Sequence, residues 1–243
     1  MTLIWRNYRH VAPEIMDRPD IAAAAHELAL DGLRRINRSS HAVDHVAEPI
    51  IAMARRRNLK RLSMLDVACG GGDVPIGVVL KARNAGIEID LTLLDRSATA
   101  LHYAAAKADR LGIACQCVES DCLARGPSSS FDVVTNSLFL HHIAGPRQVV
   151  DFLKSLREAA RRLVVVDDLR RCRGGWFGAW IFSRIMTRSE IVHHDAPVSA
   201  AAAWTRRELA EFAAEAKLRG AAIELHWPWR MILVWEAPEG SGA

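Results

Sequence analysis

The feature that most constrains this 243-residue chain is the run at residues 64–76, which reads MLDVACGGGDVPI. A short apolar segment ends at Asp66, small residues follow through the glycines 70–72, and an apolar helical pattern begins at Asp73. This order predicts a β-strand, a tight turn and the start of a helix. Consecutive glycines permit backbone torsions that other residues rarely adopt and leave the main chain open to a ligand. We therefore expect a ligand to bind on this turn.

The residues around the turn limit which ligand it can hold. The Gly-Lys-Ser/Thr sequence of a phosphate-binding P-loop is absent, and the glycine pattern of dinucleotide-binding folds fails at its third position, which is Pro75. We expect Asp73 to be the helix N-cap, so that it and Asp66 flank the turn with two carboxylates. Carboxylates disfavour a pyrophosphate and favour a cation. S-adenosylmethionine, which has a sulfonium and an ammonium but no phosphate, suits such a turn.

Residues 66–72, Asp-Val-Ala-Cys-Gly-Gly-Gly, resemble the first motif of class I S-adenosylmethionine-dependent methyltransferases of the small-molecule type. Ala68 stands where many members of that family carry a glycine. The resemblance covers about residues 60–236 and implies an α/β fold, a Rossmann-like doubly wound seven-stranded sheet with an antiparallel last strand. It implies an enzyme with S-adenosyl-L-methionine as cofactor, bound at the turn by Asp66, Ala68, Gly70 and Gly72.

Acidic residues follow the next two predicted strands. Asp95 closes an apolar run, and a carboxylate at the end of a second strand can accept hydrogen bonds from both hydroxyls of a ribose. The alternative is a turn residue before the helix that starts at Ser97. The resemblance supports the ribose role for Asp95, with Arg96 beside it as a further cofactor contact. It also assigns Asp121 to the adenine amine and Cys122 to the purine face, although a surface turn would explain Asp121 as well.

A fourth strand at residues 131–137, followed by two histidines, resembles motif IV of the family. The resemblance implies that Asn136 lies near the methionine end of the cofactor. The stretch 136–139, Asn-Ser-Leu-Phe, is similar to the Asn-Pro-Pro-Phe signature of nucleic-acid amino methyltransferases but lacks both prolines. Its sequence therefore argues against that chemistry.

The chain divides into two predicted parts. Residues 1–62 form an N-terminal helical segment, which in the family it resembles often covers the acceptor, and residues 63–243 form the methyltransferase domain with a helical insertion after strand five at about 169–203. Candidate acceptor-pocket residues in the first part are Trp5, Tyr8, His10, Asn37, His41 and His45; packing or surface positions explain each of them equally well.

The insertion contains an aromatic helix with glycines that we interpret as hinges, and then a His-His-Asp sequence at residues 193–195. It suits an acceptor lid or wall, or else a helix docked on the sheet or a dimer contact. A histidine would be the base if the acceptor must lose a proton. His194, beside Asp195, and His142, after the motif IV strand, are the predicted catalytic residues.

The composition limits the alternatives. Half of the residues are hydrophobic and the net charge is +4, a composition that suits one sizeable α/β domain. We find no apolar run in the sequence long enough to span a bilayer. The five cysteines show no zinc-site spacing, so we predict no metal and no disulfide framework. The start of the chain lacks the apolar stretch of a secretory signal, so we expect a cytoplasmic protein.

The leading functional hypothesis is methyl transfer to a small aromatic or polyketide-like acceptor, as in secondary metabolism, with oxygen favoured over carbon as the nucleophile. The alternatives are a nucleic-acid methyltransferase, and a partner protein that binds S-adenosylmethionine without catalysis. We expect a small molecule rather than a membrane or a nucleic acid as the partner. The sequence leaves open the acceptor and the oligomeric state, for which a homodimer is one option.

Overall fold

A computed structural model describes residues 9–18, 21–126 and 130–238 of the chain. Its sheet has seven strands in the order β3-β2-β1-β4-β5-β7-β6. The strands are β1 (Arg61–Val67), β2 (Glu88–Asp95), β3 (Cys115–Glu119), β4 (Phe131–Ser137), β5 (Ala160–Leu169), β6 (Ala222–His226) and β7 (Arg230–Glu236). Strands β1 to β5 are parallel, and β7 pairs antiparallel with both β5 and β6. This confirms the predicted fold class.

Helices cover both faces of the sheet. They are α1 (Ala23–Ser39), α2 (Ala42–Arg56), α3 (Asp73–Asn84), α4 (Ala98–Arg110), α5 (Pro146–Ala159), α6 (Arg173–Met186), α7 (Glu190–Ala202) and α8 (Arg206–Glu215), with short 3₁₀ helices at Ile15–Asp17 and Leu140–His142. The two helices predicted before residue 62 are present as α1 and α2. None of the helices in the described ranges is both long and apolar enough to cross a bilayer.

The core has one apolar layer on each face of the sheet. Side chains of α2, α3 and α4 form one layer, and side chains of α5 and α8 form the other. Successive residues of a strand point to opposite faces, so Leu65 lies in one layer and Met64 in the other, both at least 98 % buried. Burial on both faces is what an apolar parallel strand requires.

The strand order reverses between β1 and β4, which are neighbours in the sheet although β2 and β3 lie between them in sequence. In open α/β sheets, ligands bind in the crevice outside the carboxyl ends of the strands at such a reversal. The glycine turn follows β1 directly, so the topology places it at this crevice.

The fifth strand begins earlier than its apolar run predicted. The apolar run itself begins at Leu163, but α5 ends at Ala159 and residues 160–162 already belong to β5. Arg161 and Arg162 donate to the carboxylate of Asp132, in the neighbouring strand β4. Pairing between strands therefore overrides the helical pattern at this end.

The glycines of the insertion provide room rather than hinges. Helix α6 is continuous, and a Cβ built on Gly178 would lie 1.9 Å from the ring of Trp229 in the β6–β7 turn. A Cβ on Gly174 would lie 2.7 Å from the same ring. The interpretation as hinges was therefore wrong, because these positions let α6 approach the hairpin closely.

Candidate functional site

The turn after β1 has the backbone torsions that its glycines allow. Gly70 has φ 51° and Gly72 has φ 70°, and Ala68, where a glycine is common, has φ 55°. A left-handed torsion is unfavourable for alanine, which explains why glycine is used there so often. The N-cap of α3 is Gly72, with Asp73 as the first helical residue. Our prediction of Asp73 as the N-cap was therefore wrong by one position.

The two acids that flank the turn do not present free charges to it. Asp66 is 1 % exposed and accepts a hydrogen bond from Thr135 Oγ1. Burial raises the pKa of Asp66 to about 7, with the hydrogen bond from Thr135 opposing the shift and the charge of Asp95 adding to it. The carboxylate of Asp73 forms an ion pair with Lys107. The predicted attraction of a cation by these two carboxylates is thus weakened by their surroundings.

A cavity of about 520 Å³ opens in front of the turn, a size within the range of small-molecule sites. Six of the nine predicted cofactor contacts line it: Ala68, Gly70, Asp95, Arg96, Asp121 and Cys122. Asp66 and Gly72 are in the described chain but do not line this cavity. Neither does Asn136, which is fully buried and donates from Nδ2 to the carbonyl of Val67 at 2.7 Å. The cofactor roles of these three residues stay predictions, and Asn136 also ties β4 to the end of β1.

Asp95 is held in place by the main chain. Its Oδ2 accepts from the amide of Gly70 at 2.8 Å, and its Oδ1 accepts from the amide of Ser97 at 2.9 Å. A carboxylate has about four acceptor positions, so two amide donors leave capacity for a ligand. Asp121 similarly accepts from the amide of Leu123 at 2.9 Å and is exposed at the cavity wall.

The turn fits a nucleoside ligand. A Cβ on Gly70 would meet nothing within 4 Å, and because Gly70 lines the cavity, its main chain is open to a ligand. The cavity combines the anchored carboxylate of Asp95 with the nearly buried thiol of Cys122. Burial raises the pKa of the Cys122 thiol to about 12, with the charges of Asp121 and Asp95 adding to the shift. The thiol therefore stays protonated and contributes an apolar surface suited to a purine.

A second cavity, of about 180 Å³, adjoins the first. Both cavities are lined by Glu14, Leu33, Leu138 and His142. The second cavity lies between α1, the insertion helices and the β6–β7 turn. The N-terminal segment and the insertion, whose roles the sequence left open, thus both contribute walls to one space beside the first cavity.

Two adjacent histidines lie where the cavities meet. His141 is 4 % exposed, and its Nδ1 is 2.7 Å from Oδ1 of Asp168. Although burial alone would raise the pKa of Asp168, the charge and hydrogen bond of His141 hold that pKa below its usual value. His142 is more open and lines both cavities. No local sequence signal pairs His141 with Asp168, which lies 27 residues away.

Glu14 completes this junction. Its carboxylate oxygens lie 3.8 Å from His141 Nε2 and 3.9 Å from His142 Nε2, and Oε1 accepts from Ser199 Oγ at 2.6 Å. In the described part of the chain, these three residues are the group whose ligand atoms, within 4.8 Å of one another, could hold a metal ion. We had predicted no metal, and that stays a prediction. Glu14 itself was not among the candidates, since nothing in its local sequence marks it.

His194, the other predicted base, lies on α7 and lines neither cavity. Its Nδ1 is 2.8 Å from Oδ1 of Asp195, as the sequence suggested. The buried carboxylate of Asp195 also accepts from the amides of Ile15 and Met16, at 2.8 and 2.9 Å. Asp195 thus fixes the N-terminal segment that carries Glu14, and a catalytic role for His194 stays a prediction.

The predicted acceptor-pocket residues of the N-terminal part have separate locations. Asn37 lines the second cavity. His41 lies at a different depression beside Asp73 and Lys107, and the ring of His45 is 4.1 Å from that of His226. His10 is exposed. Trp5 and Tyr8 lie outside the described residues.

Part of the chain matches a known protein family. Residues 64–163 match the family described as "Methyltransferase domain". No curated protein sequence matches the chain.

Solved structures with the same fold include the magnesium protoporphyrin IX methyltransferase of Synechocystis PCC 6803 with bound S-adenosylhomocysteine. It has a TM-score of 0.56 and 14% identity, covering 92% of this chain and 91% of that one. The plantazolicin methyltransferase has a TM-score of 0.61 and 14% identity, with coverages of 87% and 90%. The methyltransferase SibL has a TM-score of 0.62 and 17% identity, with coverages of 89% and 60%. At these identities the likeness concerns the fold. Residues 64–163 therefore match a methyltransferase domain, and the chain as a whole has the fold of these methyltransferase structures.

Proposed function

We propose that this protein transfers a methyl group from S-adenosylmethionine to an oxygen of a small aromatic or polyketide-like acceptor. The observation that carries the proposal is the pair of adjoining cavities that share Glu14, Leu33, Leu138 and His142. The larger cavity follows the glycine turn and would hold the cofactor. The smaller one would hold the acceptor against it.

When bound, the cofactor supplies an activated methyl group, so the protein's main contribution is to align the acceptor with it. Holding two reactants in a near-attack geometry contributes up to about 7 to 11 kcal/mol. Leu33 and Leu138 extend along both cavities and would exclude water from the space between the reactants. These apolar walls favour a small organic acceptor over a nucleic acid.

We propose His142 as the group that takes the proton of the acceptor hydroxyl, because it lines both cavities. The ring of His141 lies 4.4 Å from that of His142 and is fixed by Asp168. Glu14 faces both rings and would stabilise a protonated histidine at this junction. A positioned base contributes roughly 10²- to 10⁴-fold in rate and suits a hydroxyl nucleophile, which loses its proton on methylation.

The test combines binding with turnover. Calorimetry should detect S-adenosylhomocysteine binding to the wild type and to His142→Ala with similar affinity, while methyl transfer to a panel of phenolic acceptors falls about 10²- to 10⁴-fold in the variant. His194→Ala should transfer methyl groups at nearly the wild-type rate. A fall in rate in His194→Ala with an unchanged rate in His142→Ala would assign the base to His194. Cofactor binding without methyl transfer to any acceptor would favour a non-catalytic binding protein. A folded wild type that does not bind S-adenosylhomocysteine would refute the proposal.

A further inference from the structure

Two residues that line the smaller cavity each have a buried polar atom without a hydrogen-bond partner. Nε of Arg170 and Oδ1 of Asn37 are both buried and have no hydrogen-bond partner within the described residues. Both residues line this cavity, together with Leu33, Ile36, Phe182 and Trp229. Buried polar groups are nearly always paired in native proteins, because leaving one unpaired is unfavourable. The unpaired atoms therefore mark Arg170 and Asn37 as residues of this cavity whose hydrogen-bonding capacity is not used within the described chain.

Among the described residues, two arginines line the cavity, Arg170 and Arg230, and the charge of Arg230 is already compensated. The guanidinium of Arg230 is buried and forms an ion pair with Asp167. Arg171, the next residue, donates to Glu208 at 2.7 and 2.8 Å. No ion pair of Arg170 occurs in ranges 9–18, 21–126 and 130–238.

The acidic groups near this cavity are engaged elsewhere. Asp168 is 2.7 Å from Nδ1 of His141. Glu14 accepts from Ser199 and faces the two histidines where the cavities meet. The charge of Arg170 is therefore available to an anionic ligand.

The size of the cavity limits what can carry that anion. An apolar cavity of about 150 Å³ is known to hold one benzene molecule. The present cavity measures about 180 Å³, and its walls include Phe182 and Trp229. It has room for one aromatic ring and its substituents, but not for two fused rings at full depth.

We infer that the acceptor is a single-ring aromatic compound with an anionic oxygen, a carboxylate or an acidic hydroxyl, that pairs with Arg170. This inference rests on the proposed function and adds the substrate class to it. The main-chain amide of Arg170 donates to the carbonyl of Trp229 at 2.7 Å, which fixes the base of its side chain against the hairpin. The ring would place its anionic group at Arg170 and a separate hydroxyl toward His142. Arg170 is thus a residue that determines specificity rather than one that takes part in the chemistry.

The experiment measures binding to protein saturated with S-adenosylhomocysteine, so it needs no turnover. The probes are para-hydroxybenzoate, its neutral methyl ester, para-nitrophenol as an acidic phenol, and a hydroxynaphthoate. We expect the wild type to bind para-hydroxybenzoate or ionised para-nitrophenol at least about 10-fold more tightly than the ester, and the naphthoate less tightly than the single-ring carboxylate. Which of these two anions binds more tightly shows whether the cavity recognises a carboxylate or a phenolate.

Arg170→Met should weaken binding of the preferred anion about 10- to 100-fold and leave the ester unchanged, because hydrogen bonds to charged groups are the stronger ones. Arg170→Lys should restore part of the affinity. The matched control is Arg173→Met, since Arg173 is exposed at the start of α6 and should have no effect.

The inference is overturned if no anionic probe binds, if the wild type binds the ester and the anion equally, or if Arg170→Met and Arg173→Met bind the anion equally. Unchanged binding of S-adenosylhomocysteine to Arg170→Met shows that the variant is folded. Failure of the wild type to bind S-adenosylhomocysteine would instead refute the proposed function, so the two failures are distinguishable.

Discussion

The buried acid beneath the glycine turn should make the stability of this protein depend on pH. Burial raises the pKa of Asp66 from 3.8 to about 7, so the folded protein keeps a proton that the unfolded chain releases. Stability falls with rising pH wherever the native state binds more protons. The loss of stability therefore begins near the pKa of Asp66 in the unfolded chain and is complete once the pH passes its pKa in the folded protein.

The magnitude follows from the two pKa values. Between about pH 5 and about pH 9, the shift predicts a loss on the order of 3 kcal/mol from this one group. Asp66→Asn removes the titration while its amide oxygen can still accept from Thr135 Oγ1. The free energy of unfolding of Asp66→Asn should therefore gain about 3 kcal/mol on that of the wild type over the same range.

Urea denaturation of both proteins across this range measures the effect. Other groups titrate alike in the two proteins and cancel in the difference. Stability curves that stay parallel to within about 1 kcal/mol would show that Asp66 is charged in the folded protein, and would refute the account of the turn given above.

Three further predictions concern the same region and the insertion. Ala68→Gly should stabilise the protein by about 1 kcal/mol, because φ 55° is unfavourable for alanine; a loss of stability in thermal unfolding would contradict this. Gly178→Ala should destabilise the protein by about 1 to 3 kcal/mol, since its Cβ would overlap the Trp229 ring; unchanged thermal unfolding would contradict this. Treatment with EDTA should leave methyl transfer unchanged, because Glu14 and His141 already have partners in Ser199 and Asp168; loss of turnover that returns with a divalent cation would instead assign a metal to this junction.

The sequence was sufficient for the fold because each strand and helix carries its own local signal. These signals act between residues that are close in the chain. They include the apolar runs, the glycine turn, and the capping box of Thr205 and Glu208. The predicted cofactor residues Asp95 and Asp121 line one cavity for the same reason, since they stand at strand ends that a parallel sheet brings to one edge.

The lining of the second cavity, the proposed acceptor site, could not be predicted from local sequence patterns. Glu14, His141 and Arg170 meet one cavity from three distant parts of the chain, and no short-range signal connects them. The two aspartates that end β5 are adjacent in sequence, yet one pairs with Arg230 and the other with His141. Only the packing of the insertion against the N-terminal segment decides which of these groups are compensated and which are left for a ligand.

The attachment of the N-terminal segment to α7 has a consequence for how the two halves of the site communicate. A single carboxylate, Asp195, holds the amides of Ile15 and Met16, and the neighbouring Glu14 belongs to the walls of both cavities. A shift of α7 would therefore move Glu14 at the junction of the two cavities without passing through the sheet. Sequence changes in this helix, far along the chain from the glycine turn, would in this way change the shape of both cavities.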